Sequence, residues 1–124
     1  MFQIKRITDP RLSGRVCQSF GVFERGAFAY GAFQNDNVLA TAVFLTSGGC
    51  VTLLAADAGR KPDIGLIDGM ARAAFSAQLK AGAKTARLGE GVPADVRLAL
   101  SKLHYAPEEA FDLEEFFSKK CCGK

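Results

Sequence analysis

The sequence predicts an α/β (α+β) fold: a mixed central sheet, antiparallel at its N-terminal end, then a β-α-β crossover, flanked by three to four helices. Three observations predict it. Residues 27–56 form three apolar runs separated by Asn35-Asp36-Asn37 and Ser47-Gly48-Gly49, both strong turn chemistry. The apolar period then lengthens, so that Ile64, Ile67, Ala71, Ala74, Phe75 and Leu79 fall on one face of a long helix. A short apolar run, Thr85 to Leu88, follows that helix. Strand, helix and strand of this length close as a right-handed crossover with parallel pairing.

Each element has its own local cause. Phe2 to Ile7 alternates and reads as a strand. Asp9-Pro10 supplies an N-cap and a proline at the first helical position. Leu12, Val16 and Phe20 recur every four residues, and Gly21 closes that helix. Ala27 to Phe33, Val38 to Leu45 and Cys50 to Ala56 are the meander strands, and the near-continuous apolar run of the last implies burial on both faces. Lys61-Pro62-Asp63 starts the long helix, which runs to about Ala81 and stops at Gly82. Pro93 opens another helix, with Val96, Ala99, Leu100 and Leu103 turned inward. Asp112 is placed to cap a last helix, with Glu115 at its third position and Phe111 and Phe116 as a hydrophobic staple. Leu113, Phe116 and Phe117 share a face of it, and a final strand over Phe111 to Phe117 is the alternative.

Length and composition set the class. A chain of 124 residues, 48% hydrophobic and 23% charged, suits one domain spanning 1–124, with 112–124 a C-terminal helix and tail. About two-thirds of the surface of such a chain is buried on folding, so a real core is available. Collagen, coiled coil and intrinsic disorder are excluded. The net charge is +3, with the excess in Lys5, Arg6, Arg11, Arg15 and Arg25, too sparse a patch for nucleic acid. No apolar run approaches the roughly 18 residues of a membrane span. Lys5 and Arg6 break any signal-peptide core, so a cytoplasmic protein is expected. Of the four cysteines, Cys17 and Cys50 lie in apolar stretches and read as small core residues. Cys121-Cys122 stands between lysines, where a reactive or metal-binding pair is the alternative to a plain tail. With His104 the sole histidine and no C-x-x-C, no metal is expected.

The order of elements and three stretches resemble the GCN5-related N-acetyltransferase (GNAT) superfamily. Ile4-Lys5-Arg6-Ile7-Thr8 looks like its first strand. Gly59 to Gly65, followed by Met70-Ala71-Arg72-Ala73-Ala74, looks like its acetyl-CoA loop and helix. Lys102-Leu103-His104-Tyr105 looks like its Lys-Leu-Gly-Phe stretch. The resemblance implies a GNAT-like sheet and a CoA or acetyl-CoA cofactor on Arg60, Lys61, Ile64 and Gly65. The family loop reads Gln/Arg-x-x-Gly-x-Gly/Ala, and its backbone N–H groups hold the diphosphate at a helix start. Arg60 and Gly65 match the ends of that pattern, while Asp63 replaces the middle glycine and Pro62 lacks an N–H. Pro62 and Asp63 also read simply as good helix-start residues.

The catalytic positions depart as well. Leu100 stands where many members carry a leaving-group tyrosine. The catalytic candidates are Tyr105, His104 and Asp57, with Glu24 and Glu90 as further carboxylates for a general base. Tyr105 can also pack with its hydroxyl at the core rim, and His104 can serve as a helix-end group. Two functions follow. The first is an acyl-CoA-dependent N-acetyltransferase-like protein of unknown acceptor, whose partner is a small-molecule acyl donor. The alternative is a non-catalytic module on the same fold for protein interaction, homodimerisation or small-ligand binding.

Overall fold

The computed structural model describes residues 2–118. Its strands are β1 (Gln3–Arg6), β2 (Phe28–Gln34), β3 (Asn37–Ser47), β4 (Cys50–Asp57), β5 (Thr85–Leu88) and β6 (Phe111–Asp112). Its helices are α1 (Pro10–Ser19), α2 (Ile64–Lys80), α3 (Ala94–Ser101) and α4 (Leu113–Ser118). The strands form one sheet in sequence order, β1-β2-β3-β4-β5-β6. All neighbours are antiparallel except β4 and β5, which α2 joins as a parallel crossover. The mixed sheet and the crossover are those the sequence predicts. Among the described residues no helix is long and apolar enough to cross a membrane.

The caps act as their residue types dictate. The Asp9 carboxylate accepts from Arg11 N–H at 3.0 Å, with Pro10 opening α1. The Asp112 carboxylate accepts from Glu115 N–H at 2.8 Å and starts α4. The two readings of the C-terminal stretch therefore divide: Phe111–Asp112 pairs with β5, and helix begins at Leu113. Cys121 and Cys122, with the thiol or metal alternative that rests on them, lie outside the described residues.

The sheet is buried by helices on both faces. Leu12, Val16, Cys17 and Phe20 of the α1 segment pack on Ile7, Ala29, Val43 and Leu54. Burial pushes the Cys17 thiol above its ordinary pKa. On the opposite face Ile67, Met70, Ala71, Ala74 and Phe75 of α2 cover Tyr30, Phe44, Val51 and Leu53. Phe75 is fully buried and packs against Phe44, Tyr105, Phe111 and Phe116, with ring centroids 6.0–6.4 Å apart. One aromatic thus joins the meander, the α3 exit and the C-terminal segment. Thr46 adds a polar tie, donating to Gln78 Oε1 at 2.8 Å.

One expectation is corrected. β4 is not buried on both faces: Val51 and Leu53 are enclosed under α2, but Thr52 and Leu54 to Ala56 are only half-buried. The run stays apolar because its second face is shared between the α1 cluster and a groove beside β5.

Removing the central aromatic tests the packing. Phe75→Ala should cost about 3–5 kcal/mol in urea denaturation. Phe23→Ala, at a side chain 75% exposed, should stay within about 0.5 kcal/mol. A loss below about 1 kcal/mol for Phe75→Ala would contradict its central place.

Candidate functional site

The sheet opens where β4 leaves β5. The β3–β4 register passes from Phe44↔Leu53 to Val43↔Ala55, leaving Leu54 as a bulged residue without a partner. Such bulges bend a strand and re-aim its groups. The parallel ladder ends with Leu53↔Leu88, followed by Gly89 N–H donating to Leu53 O at 2.8 Å. Among the described residues, Ala55–Asp57 then has no strand neighbour on the β5 side.

Residues 89–92 turn across this opening. A Cβ at Gly91 would lie 2.5 Å from Leu54 O, an approach only glycine permits, and one at Gly89 would lie a tight 3.0 Å from Leu53 O. Arg97 of α3 holds the turn in place. Its Nε donates to Val92 O at 3.0 Å, and its two terminal nitrogens donate to Gly89 O and Pro107 O.

On the α1 face, β4, β5 and the end of the α1 segment enclose a groove of about 570 Å³. Val22, Leu54 and Ala55 are among its apolar lining residues, and Glu24, Arg87 and Glu90 are its charged ones. Strand alternation accounts for Arg87: Ala86 and Leu88 point into the α2 core, so Arg87 points out of it.

The second part of the site is the start of α2. The loop after β4 is closed by Asp63 N–H donating to Ala58 O at 3.3 Å. The Asp63 carboxylate accepts from Leu66 N–H at 3.2 Å and caps the helix. A Cβ on Gly65 would sit 3.2 Å from Asp63 Oδ1, which places that oxygen over the first turn. Arg60, Lys61 and Gly65 are exposed and Ile64 is half-buried against the core. These residues fit a CoA diphosphate poorly. A helix start offers N–H donors and a positive dipole end, but here a carboxylate already takes a donor and repels phosphate. Arg60 and Lys61 supply cations alone. The free edge of β4, by contrast, suits an extended amide-bearing arm.

The other site candidates separate. Glu24 and Glu90 converge on the groove, whereas Asp57 does not: its carboxylate accepts from Gly59 N–H at 3.1 Å at the far end of β4. Leu100 is fully buried in the core, so it brings no hydroxyl to the groove. Tyr105 is 2% exposed and faces α2, where its hydroxyl donates to Asp68 Oδ1 at 2.7 Å. Arg72 Nε donates to the same oxygen at 2.8 Å, and its guanidinium lies 4.6 Å from the Phe116 ring centroid. Burial, then the Asp68 carboxylate, pushes the Tyr105 phenol well above its ordinary range, against a smaller opposing effect of Arg72. Tyr105 is thus a latch between α2 and the α3 exit, turned away from the groove. His104 is exposed just past α3 with φ 78°. It stands at the glycine of the resembled Lys-Leu-Gly-Phe stretch, and its left-handed backbone is the physical reason for a glycine there.

The sequence reading missed Asp68, Arg72 and Arg97. The i,i+4 spacing of Asp68 and Arg72 was a signal for the ion pair. Nothing local marked Arg97, whose acceptors are loop carbonyls.

No protein-family model matches the chain, and no curated protein matches it in sequence. Solved structures do match. An IAA acetyltransferase from Bacillus cereus is 18% identical with a TM-score of 0.61, covering 82% of this chain and 74% of that one. The ribosomal-protein-S18-alanine N-acetyltransferase from Escherichia coli is 15% identical with a TM-score of 0.60, covering 82% and 75%. A Bacillus subtilis acetyltransferase in complex with CoA is 17% identical with a TM-score of 0.57, covering 82% and 74%. The fold is that of the GNAT acetyltransferases.

Two measurements check this geometry. His104→Gly should stabilise the protein by about 1 kcal/mol, by relieving a left-handed backbone; a loss would contradict the assignment. The raised pKa of Tyr105, and of Tyr30 by burial, means that the folded state keeps phenol protons the unfolded state releases near pH 10. Stability should be insensitive to these groups below about pH 10 and fall above it. Urea midpoints that stay flat or rise across that range would contradict it.

Proposed function

We propose that this chain is an acyl-CoA-dependent N-acetyltransferase-like protein that takes its acyl donor along the free edge of β4. The observation that carries the reading is the parting of β4 from β5 at the Leu54 bulge, with the loop to α2 beside it. The solved relatives support it, one of them being a complex with CoA. When bound, CoA supplies an activated thioester. The chain's own part is positioning: the glycine turn held by Arg97 fixes one wall, and Glu24 and Glu90 present carboxylates that accept a proton from an incoming amine. Leu100 leaves the chain without a hydroxyl at the resembled tyrosine position. Placement in the cytoplasm belongs to the same proposal.

A second reading is a non-catalytic module on this fold, acting by small-ligand binding or as a homodimer. The Asp63 carboxylate on the start of α2 favours it, because it opposes a diphosphate there.

Calorimetric titration of acetyl-CoA, with a thermal-shift check, decides between them. A ligand at about 100 times its Kd stabilises by roughly 2.7 kcal/mol, several degrees for a domain of this size. The first reading expects saturable binding that changes by no more than about twofold in Arg60→Ala, since the exposed Arg60 offers the diphosphate a screened cation alone. No heat and no shift at millimolar acetyl-CoA would overturn it in favour of the second.

A further inference from the structure

We infer that the groove between β4, β5 and the end of the α1 segment takes a small diamino monocarboxylate, a ligand with two ammonium groups and one carboxylate on a short alkyl chain. The inference deepens the acyltransferase reading by naming the acceptor class, and it rests on that reading for the term acceptor.

The argument is charge and shape. The groove holds two carboxylates and one guanidinium, Glu24 and Glu90 with Arg87. None of the three side chains makes an ion pair or hydrogen bond among the described residues. The fold places them around one opening: Glu24 on the α1–β2 connection, Arg87 on the outward face of β5, and Glu90 on the turn that follows. Arg97 and the close approach of Gly91 to Leu54 O fix that turn, so Glu90 is carried on a held backbone. The same groove is also lined by Val22, Leu54 and Ala55, apolar surface suited to methylene groups. A diamine alone would leave Arg87 unmatched, and a monoamino acid would leave one carboxylate unmatched. Bidentate pairing of guanidinium with carboxylate adds orientation to the match.

Amide chemical shifts in ¹⁵N-labelled full chain, at low salt and without CoA, test the inference. L-ornithine and putrescine serve as probes, since they differ only by the carboxylate. Ornithine should give saturable shifts at Glu24, Thr52, Arg87 and residues 89–91, with an affinity about fivefold tighter than that of putrescine, as one exposed ion pair allows. Arg87→Gln should abolish that difference, and Glu24→Gln with Glu90→Gln should weaken both probes. The three side chains are exposed, so these variants keep the fold, and superposable spectra check that. Equal affinity of the two probes, an Arg87→Gln variant that binds ornithine unchanged, or no saturable shift would each overturn the inference. Because the titration contains no CoA, its failure is distinct from failure of the acetyl-CoA titration.

Discussion

The packing of α2 across the sheet, centred on Phe75, is the constraint from which the rest follows. α2 must leave the end of β4, cross the apolar face and return to start β5 alongside β4. That crossover makes β4–β5 the single parallel pair in an otherwise antiparallel sheet, among the described residues. Open sheets bind ligands beyond the carboxyl ends of parallel strands. Here the same place holds the Leu54 bulge, the glycine turn and the start of α2. The core and the candidate site are two consequences of one connection.

Much of the fold was legible because its signals are local. Asp9-Pro10, Asp63 and Asp112 marked helix starts by their own chemistry, and the turn residues between β2, β3 and β4 fixed the meander. The apolar stripe of α2 gave the crossover. What stayed hidden depends on distant partners. Cys50 to Ala56 reads as doubly buried because the apolar lining of an open groove looks like core in sequence. The two-residue β6 exists only because β5 offers it an edge. Arg97 binds three backbone carbonyls that no residue pattern advertises.

The candidate site divides along the same line. Arg60 and Gly65 were visible as a loop pattern, and both are exposed, Arg60 in the loop before α2 and Gly65 in its first turn. Asp63 was also visible, but its meaning needed coordinates: its carboxylate closes the helix start. An N-cap of this kind contributes about 1 kcal/mol to stability, and it does so by taking a donor that an incoming phosphate would use. Tyr105 shows the opposite case. A tyrosine near a resembled motif invites a catalytic role, yet its hydroxyl is held by Asp68 beside Arg72, and its work is to lock the α3 exit to α2.

On the proposed acyltransferase reading, acyl-donor binding therefore rests on the β4 edge and gains little from the diphosphate. Comparing acetyl-pantetheine with acetyl-CoA by calorimetry, in the natural chain and in Asp63→Gly, tests it most directly. The account predicts affinities within a few-fold of each other for the natural chain, and a selective gain for acetyl-CoA once the carboxylate is removed. Acetyl-CoA binding far more tightly than acetyl-pantetheine in the natural chain, with no further gain in Asp63→Gly, would contradict it.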